Sequence, residues 1–181
     1  MMERGAAVAP WRILGIDPGT LRLGYGVVEM SRGAQGTDVR YIECGVISAP
    51  ARLPRAERLV EIGRGLRELL AELAPAAVAM EEAFFGKNVQ STLALGEARG
   101  VALLVAGEAG LTVAGYSPAA IKKSVVGHGR ATKDQIGFLV RATLKMRRTP
   151  AADAADALAI AICHARQGGP TGSRRREGGW R

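Results

Sequence analysis

The chain is 181 residues long, with 25 Lys and Arg against 17 Asp and Glu for a formal charge of +8, and only two cysteines, Cys44 and Cys163. That length suits a single domain with a core of its own. Two lone cysteines make neither a disulfide framework nor a zinc site, and no run approaches the roughly 18–20 apolar residues of a membrane span. The opening MMERGAAVAP has no long apolar stretch followed by a cleavage site, which argues against a secretion signal. The expected setting is therefore a reducing cytoplasm, with residues 1–11 as a flexible arm and no membrane association.

Taken in chain order, the pattern alternates. WRILGID is a continuous apolar run ending at Asp17, as expected of a strand covered on both faces. GYGVVEM and RYIECGVIS follow, separated by the turn-rich SRGAQGTD, which is a hairpin signal. RLPRAERLVEIGRGLRELLAEL places apolar residues at helical spacing and stops at Pro75; AAVAMEE is a short apolar run that reads as a strand. NVQSTLALGEARGVALLVAGEAG is a long Ala/Leu/Val helix pattern, and LTVAGY a short strand. Pro118 can start the helix PAAIKKSVVGHG, ended by Gly127 and Gly129, and Thr132 then caps ATKDQIGFLVRATLKM. Pro150 breaks the chain before a last helix over 151–166. Three strands, then alternating helices and strands, then helices favour an α/β domain over 12–166, a mixed sheet flanked by helices.

The excess charge is local. Residues 1–115 carry 12 basic and 13 acidic side chains, whereas 116–148 carry 8 basic and 1 acidic. The next charges are Asp153 and Asp156, and 166–181 add 5 basic and 1 acidic residue. A basic segment directly before an acidic pair suits a polyanion gripped beside carboxylates that hold cations; a solvated helix face would look the same for 132–148 alone. The stretch QGGPTGSRRREGGWR, rich in Gly and Arg and without apolar periodicity, reads as a disordered basic tail over 167–181.

Four acids stand on apolar elements. Asp153 and Asp156 open DAADALAIAICHA at i and i+3, so they share a helix face; two carboxylates there repel unless something positive lies between them. Asp17 and Glu81 end strand-like runs. Taken singly, each has a blander explanation. Asp153 suits the first turn of a helix, Asp17 before Pro-Gly is a good turn former, and Glu81 and Glu82 face opposite sides of a strand without parity choosing between them. Together they point to a cage for divalent cations, since Mg²⁺ and Mn²⁺ prefer oxygen ligands, and hence to phosphodiester hydrolysis. His164 lies two turns beyond Asp156, about 12 Å along the axis, too far to share a metal with it; a structural or DNA-proximal role suits it better. His128, in VVGHGR, could reach a phosphate or sit in an exposed loop.

These motifs carry a resemblance. IDPGTLRLGYGVVE, MEEAFFGKN, LGEARGVAL, KKSVVGHGRATK and DAADALAIAI, in this order and spacing over most of residues 12–166, resemble the RuvC-type Holliday-junction resolvases, nucleases with an RNase H-like fold. The resemblance implies that Asp17, Glu81, Asp153 and Asp156 are the metal-binding catalytic acids; some relatives carry His where Asp153 stands. It implies that Phe84 wedges into the junction and that Lys122 and Lys133 contact DNA near the cut, with Lys123 and Arg130 in the same basic stretch. Lys87 and Asn88 follow Phe84 on one loop and could bind phosphate. It further implies two Mg²⁺ or Mn²⁺ ions per site, paired symmetric nicks in four-way DNA junctions leaving 5′-phosphate and 3′-hydroxyl ends, and a short preferred cleavage sequence. A homodimer matched to the junction's two-fold symmetry and work beside the RuvA–RuvB branch-migration complex in a bacterial cytoplasm complete the expectation. The weakly charged helix 88–109 offers one face to the core and another to a second subunit.

Three rivals remain on these residues. GIDPGT resembles the phosphate loop of actin-like ATPases and sugar kinases, whose fold needs a second such domain that 181 residues do not accommodate. A junction-binding protein without catalysis would keep the same basic surface, and a related nuclease could cut an RNA hybrid instead.

Overall fold

The computed structural model describes residues 11–33, 36–82, 89–127 and 132–167, with the backbone alone at 33, 133 and 134. Strands β1 (Trp11–Asp17), β2 (Arg22–Gly33) and β3 (Gly36–Ser48) come first, then helix α1 (Arg55–Leu73) and strand β4 (Ala77–Glu81). Helix α2 (Val89–Glu108), strand β5 (Thr112–Tyr116) and helices α3 (Pro118–Val126), α4 (Lys133–Thr143) and α5 (Ala152–Gln167) complete the elements of the described residues. The sheet order is β3-β2-β1-β4-β5. The first three strands pair antiparallel, and β1, β4 and β5 run parallel, so the sheet is mixed and flanked by helices, as expected.

Each face of the sheet closes a separate core. Leu14, Ile16, Val27, Val78 and Met80 bury against α1 and α2. Ile13, Val28 and Ala79 bury against α3, α4 and α5. Helix α5 is the most enclosed element, with Ala154 through Ala165 nearly all buried, because it lies directly across the sheet. That closeness has a specific cause. Gly15 on β1 and Gly24 on β2 present no side chain where the helix passes; a Cβ on Gly15 would collide with the Ala157 carbonyl, and one on Gly24 with the Asp153 carbonyl. The small residues Ala157 and Ala161 on the helix complete the fit.

Several boundaries move from their expected places. β2 and β3 extend through the turn-rich stretch, pairing Ser31 with Asp38 and Arg32 with Thr37: hairpin hydrogen bonding overrides weak strand propensity in polar residues. Helix α4 stops at Thr143, not Met146. Lys145 adopts φ 52, its N–H bonding to the Ala142 carbonyl and that of Met146 to the Arg141 carbonyl, a Schellman-type ending in which Lys stands where glycine is usual. Trp11, the first residue of the WRILGID run and the last of the expected arm, belongs to β1 and pairs with Met30. Gln167 completes α5. The remaining arm and tail, 1–10 and 168–181, lie outside the described residues. None of the described helices is long and apolar enough to cross a membrane.

Candidate active site

Strand alternation brings two carboxylates together. Leu14 and Ile16 of β1 enter the α1–α2 core, whereas Ile13 enters the other. By the two-residue period Asp17 therefore projects to the α5 face. On β4, Val78 and Met80 enter the α1–α2 core and Ala79 the other, so Glu81 also projects towards α5. Glu82 leans instead across Gly115, the β5 partner of Met80. The parity that two adjacent glutamates concealed in the sequence is thus resolved by the burial of their neighbours. Ile16 pairs with Met80, which makes Asp17 and Glu81 the next residues in register, on strands about 4.8 Å apart.

The third carboxylate arrives on α5. Asp156 lines one cleft of about 300 Å³ with Asp17, Glu81, Pro118, Ile121 and Lys122. This cleft opens at the carboxyl ends of the parallel strands β1 and β4, the usual location of ligand sites in open α/β sheets. Serine caps its far wall: Ser117 Oγ accepts from the Ala120 N–H at 3.2 Å, and Pro118 starts α3, which directs Lys122 into the cleft from the helix's second turn. Asp153 does not line the cleft. Its backbone rests on Gly24, the register partner of Asp17, but its carboxylate accepts from Arg22 Nε at 2.7 Å.

Among the described residues, no three His, Cys, Asp or Glu side chains gather closely enough to form a finished metal cage. The carboxylates line the cleft walls rather than meet at a point. As a donor set, three carboxylates with a fourth alongside suit hard divalent cations, which take oxygen ligands. Exposed ion pairs such as Arg22–Asp153 contribute at most about 1 kcal/mol, so releasing the Asp153 carboxylate from Arg22 costs little once a cation offsets the repulsion of the other acids.

The expected DNA contacts divide. Lys122 shares the cleft with the acids, and Lys123, next to it on α3, is exposed outside that lining. Lys133 opens α4, its side chain beyond description, and Phe84, Lys87, Asn88, His128 and Arg130 lie outside the described residues. His164 is 8% exposed and stands apart from the acids. Its Nδ1 lies 2.7 Å from the Tyr116 hydroxyl, its ring centroid 5.4 Å from that of Trp11, and burial lowers its pKa from the usual 6.5. It is a core residue.

Sequence reasoning passed over Arg22 and Arg99. Arg99 of α2 donates to the backbone carbonyl of Glu81, and the Glu82 N–H donates to the Tyr116 carbonyl at 2.8 Å; both hold the end of β4 at the cleft. No spacing rule announces such long-range contacts. The glycines at 15 and 24 were a readable signal, since glycine inside a strand marks a close approach.

Comparisons with known proteins bear on this geometry. The family model described as Crossover junction endodeoxyribonuclease RuvC matches residues 13–164. The crossover junction endodeoxyribonuclease RuvC of Azorhizobium caulinodans is 50% identical over 164 residues, 91% of this chain and 95% of that protein. Among solved structures, T. thermophilus RuvC in complex with Holliday junction substrate superposes with a TM-score of 0.79 at 37% identity, over 86% of this chain and 93% of that one. The yeast mitochondrial Holliday junction resolvase Ydc2, 16% identical with a TM-score of 0.57 over 86% of this chain and 79% of its own, shares the fold.

Proposed function

This chain belongs to the RuvC family of crossover junction endodeoxyribonucleases, and from that premise we propose that it resolves four-way DNA junctions by metal-dependent hydrolysis at the Asp17–Glu81–Asp156 cleft. The observation that carries the proposal is the convergence of three acids from two strands and a helix, with Lys122, on one cleft. Asp17, Glu81, Asp156 and, once turned from Arg22, Asp153 would hold two divalent cations, Mg²⁺ or Mn²⁺. Bound there, such ions would supply an activated water and positive charge to stabilise the transition state.

The chain's own residues do the rest. Lys122 enters the cleft from α3 and would pair with a non-bridging oxygen of the scissile phosphate. Apolar Ile121, Ile136, Ala159 and Ile160 wall the cleft and lower the local dielectric, which strengthens that pairing. The water oxygen would bond to phosphorus and lose a proton, the bond from phosphorus to O3′ would break, and O3′ would take up a proton in exchange, leaving a 5′-phosphate and a 3′-hydroxyl. The basic segment 116–148 would grip the backbone around the cut, with Lys123, Arg130 and Lys133 among its contacts. Phe84, Lys87 and Asn88 follow β4 in the chain, which suits them to the junction's unpaired centre.

A four-way junction has two strands to cut, and a two-fold dimer supplies two sites in register with them. The outward face of α2 suits that role. Val89, Leu93 and Leu104 are exposed there, and Gly96 and Gly100 between them face open space, a surface of leucines and glycines on which a second helix can pack closely. Cooperation with a RuvA–RuvB branch-migration complex in a bacterial cytoplasm accords with the family.

The test offers the protein synthetic four-way junction, linear duplex and RNA–DNA hybrid with Mg²⁺ or Mn²⁺. Paired nicks at symmetric positions, confined to the junction and absent without metal, are the expected result. Cleavage preferring the hybrid would reassign the substrate, and tight junction binding without cleavage in either metal would leave a binding protein.

A further inference from the structure

A second groove, of about 310 Å³, opens beside the catalytic cleft between α4 and the start of α5, lined by Gly137, Phe138, Thr149, Pro150 and Ala155 and sharing Asp156 with the first. Phe138 forms one wall of it and is 56% exposed. A single exposed apolar residue needs no explanation; this one has three further features. Arg141 lies over its ring, 5.1 Å from guanidinium carbon to centroid, a cation–π contact that steadies the aromatic in place. The groove and the cleft share Asp156 as a lining residue. The segment that enters it is basic: Lys145, Arg147 and Arg148 are all exposed on the stretch leading to Thr149, and the left-handed Lys145 ends α4 and begins that stretch.

An apolar slot with an aromatic wall, cations on the segment entering it and one residue shared with a phosphodiester-cleaving site matches the parts of one nucleotide. The phosphates meet the cations and the base meets the ring. Resting on the junction-cleaving reading above, we propose that this groove receives a base of the cut strand within two nucleotides of the scissile phosphate, stacked against Phe138. The phosphate is thereby drawn to the acids and Lys122. Thr149 is the one neutral polar side chain among the lining residues, so the groove offers little hydrogen bonding to base edges and should be tolerant of base identity, because every base has a π-face. Phe138 is a positioning residue, and it acts on the strand rather than on the reaction itself.

The experiment is single-turnover cleavage of a synthetic junction in Mn²⁺, with each of the two nucleotides on either side of the cut made abasic in turn. Wild type is compared with Phe138→Ala and Phe138→Tyr; as the ring is more than half exposed, both variants keep the core intact. Phe138→Ala should slow cleavage of the intact junction on the order of tenfold, the scale of one base–aromatic stack, and Phe138→Tyr should restore it. One abasic position should slow wild type by a similar factor and leave Phe138→Ala no slower than it already is. If Phe138→Ala cuts the intact junction at the wild-type rate, or every abasic position slows it as much as wild type, the groove does not hold a base. If wild type cuts no intact junction, the nuclease reading itself fails and this inference falls with it.

Discussion

At the scale of single residues, Asp153 and His164 occupy one helix with opposite surroundings. Asp153 is half-exposed and held by Arg22, an arrangement easily exchanged for another cation. If Asp153 is a metal ligand, Arg22 competes for it, and Arg22→Ala should lower the Mn²⁺ concentration giving half-maximal cleavage by up to about fivefold, the equivalent of the roughly 1 kcal/mol ceiling for an exposed pair. An unchanged or raised requirement in a metal titration would show that the pair does not oppose the metal. His164 is closed in by Trp11 and Tyr116, and desolvation depresses its pKa. The unfolded chain takes up this proton near pH 6.5 and the folded chain only at lower pH. Its contribution to stability is therefore complete above 6.5 and declines as the pH falls below that value. The urea midpoint should drop between pH 7 and pH 5.5, with His164→Asn flattening that slope; a slope unaltered in the variant would assign the dependence to other groups. The helical spacing of His164 separated it from the acids in the sequence. Its partners Trp11 and Tyr116 were not legible, because they lie on strands 153 and 48 residues away.

At the scale of elements, the contact of α5 with β1 and β2 positions everything else. Gly24→Ala would press a methyl into the Asp153 carbonyl, and overpacking of this kind costs about 1–3 kcal/mol. The expected outcome is a fall in thermal unfolding temperature together with a loss of cleavage larger than the lost folded fraction explains, because Asp153 and Asp156 move with the helix. Wild-type cleavage in a destabilised Gly24→Ala would show that the acids are not tied to this contact. Each strand and helix was legible in outline, since apolar periodicity records burial. The end of α4 was not: nothing in RATLKM marks a stop, and the left-handed turn falls on Lys145 rather than on the glycine that would have announced it. The hairpin was shortened for the same kind of reason, its outer residues being strand by pairing rather than by composition.

At the scale of the whole molecule, the sheet divides its labour. One face closes on α1 and α2 with the outward apolar stripe of α2, and the other carries α3, α4 and α5 with the acids and the basic segment. Helix α2 carries apolar residues on two sides, with Ala98, Ala102 and Val105 turned inward and Leu93 and Leu104 outward; a second apolar stripe on a helix suits a second packing partner. If α2 forms the proposed dimer contact, Leu93→Glu with Leu104→Glu should leave the fold intact, shift sedimentation from dimer to monomer, and turn paired nicks into single ones. A double variant that sediments as wild type would contradict the proposed dimer contact on α2. The four acids were legible as a set because carboxylates at the ends of apolar runs are costly unless used. A cage was expected of them; that Asp17, Glu81 and Asp156 share the cleft while Asp153 stands beside it was not legible, since it depends on the β1–β4 register and on two strand glycines.

The most direct measurement of the central claim is cleavage of a four-way junction by Asp156→Asn in Mn²⁺, with junction binding measured in parallel without metal. Asp156 is the helix-borne acid that lines the cleft with Asp17 and Glu81, and the substitution preserves its shape while removing its charge. A loss of about 100-fold or more in cleavage, with binding retained, is the result this account predicts. Cleavage within a few fold of wild type would contradict it and remove the cleft from the chemistry.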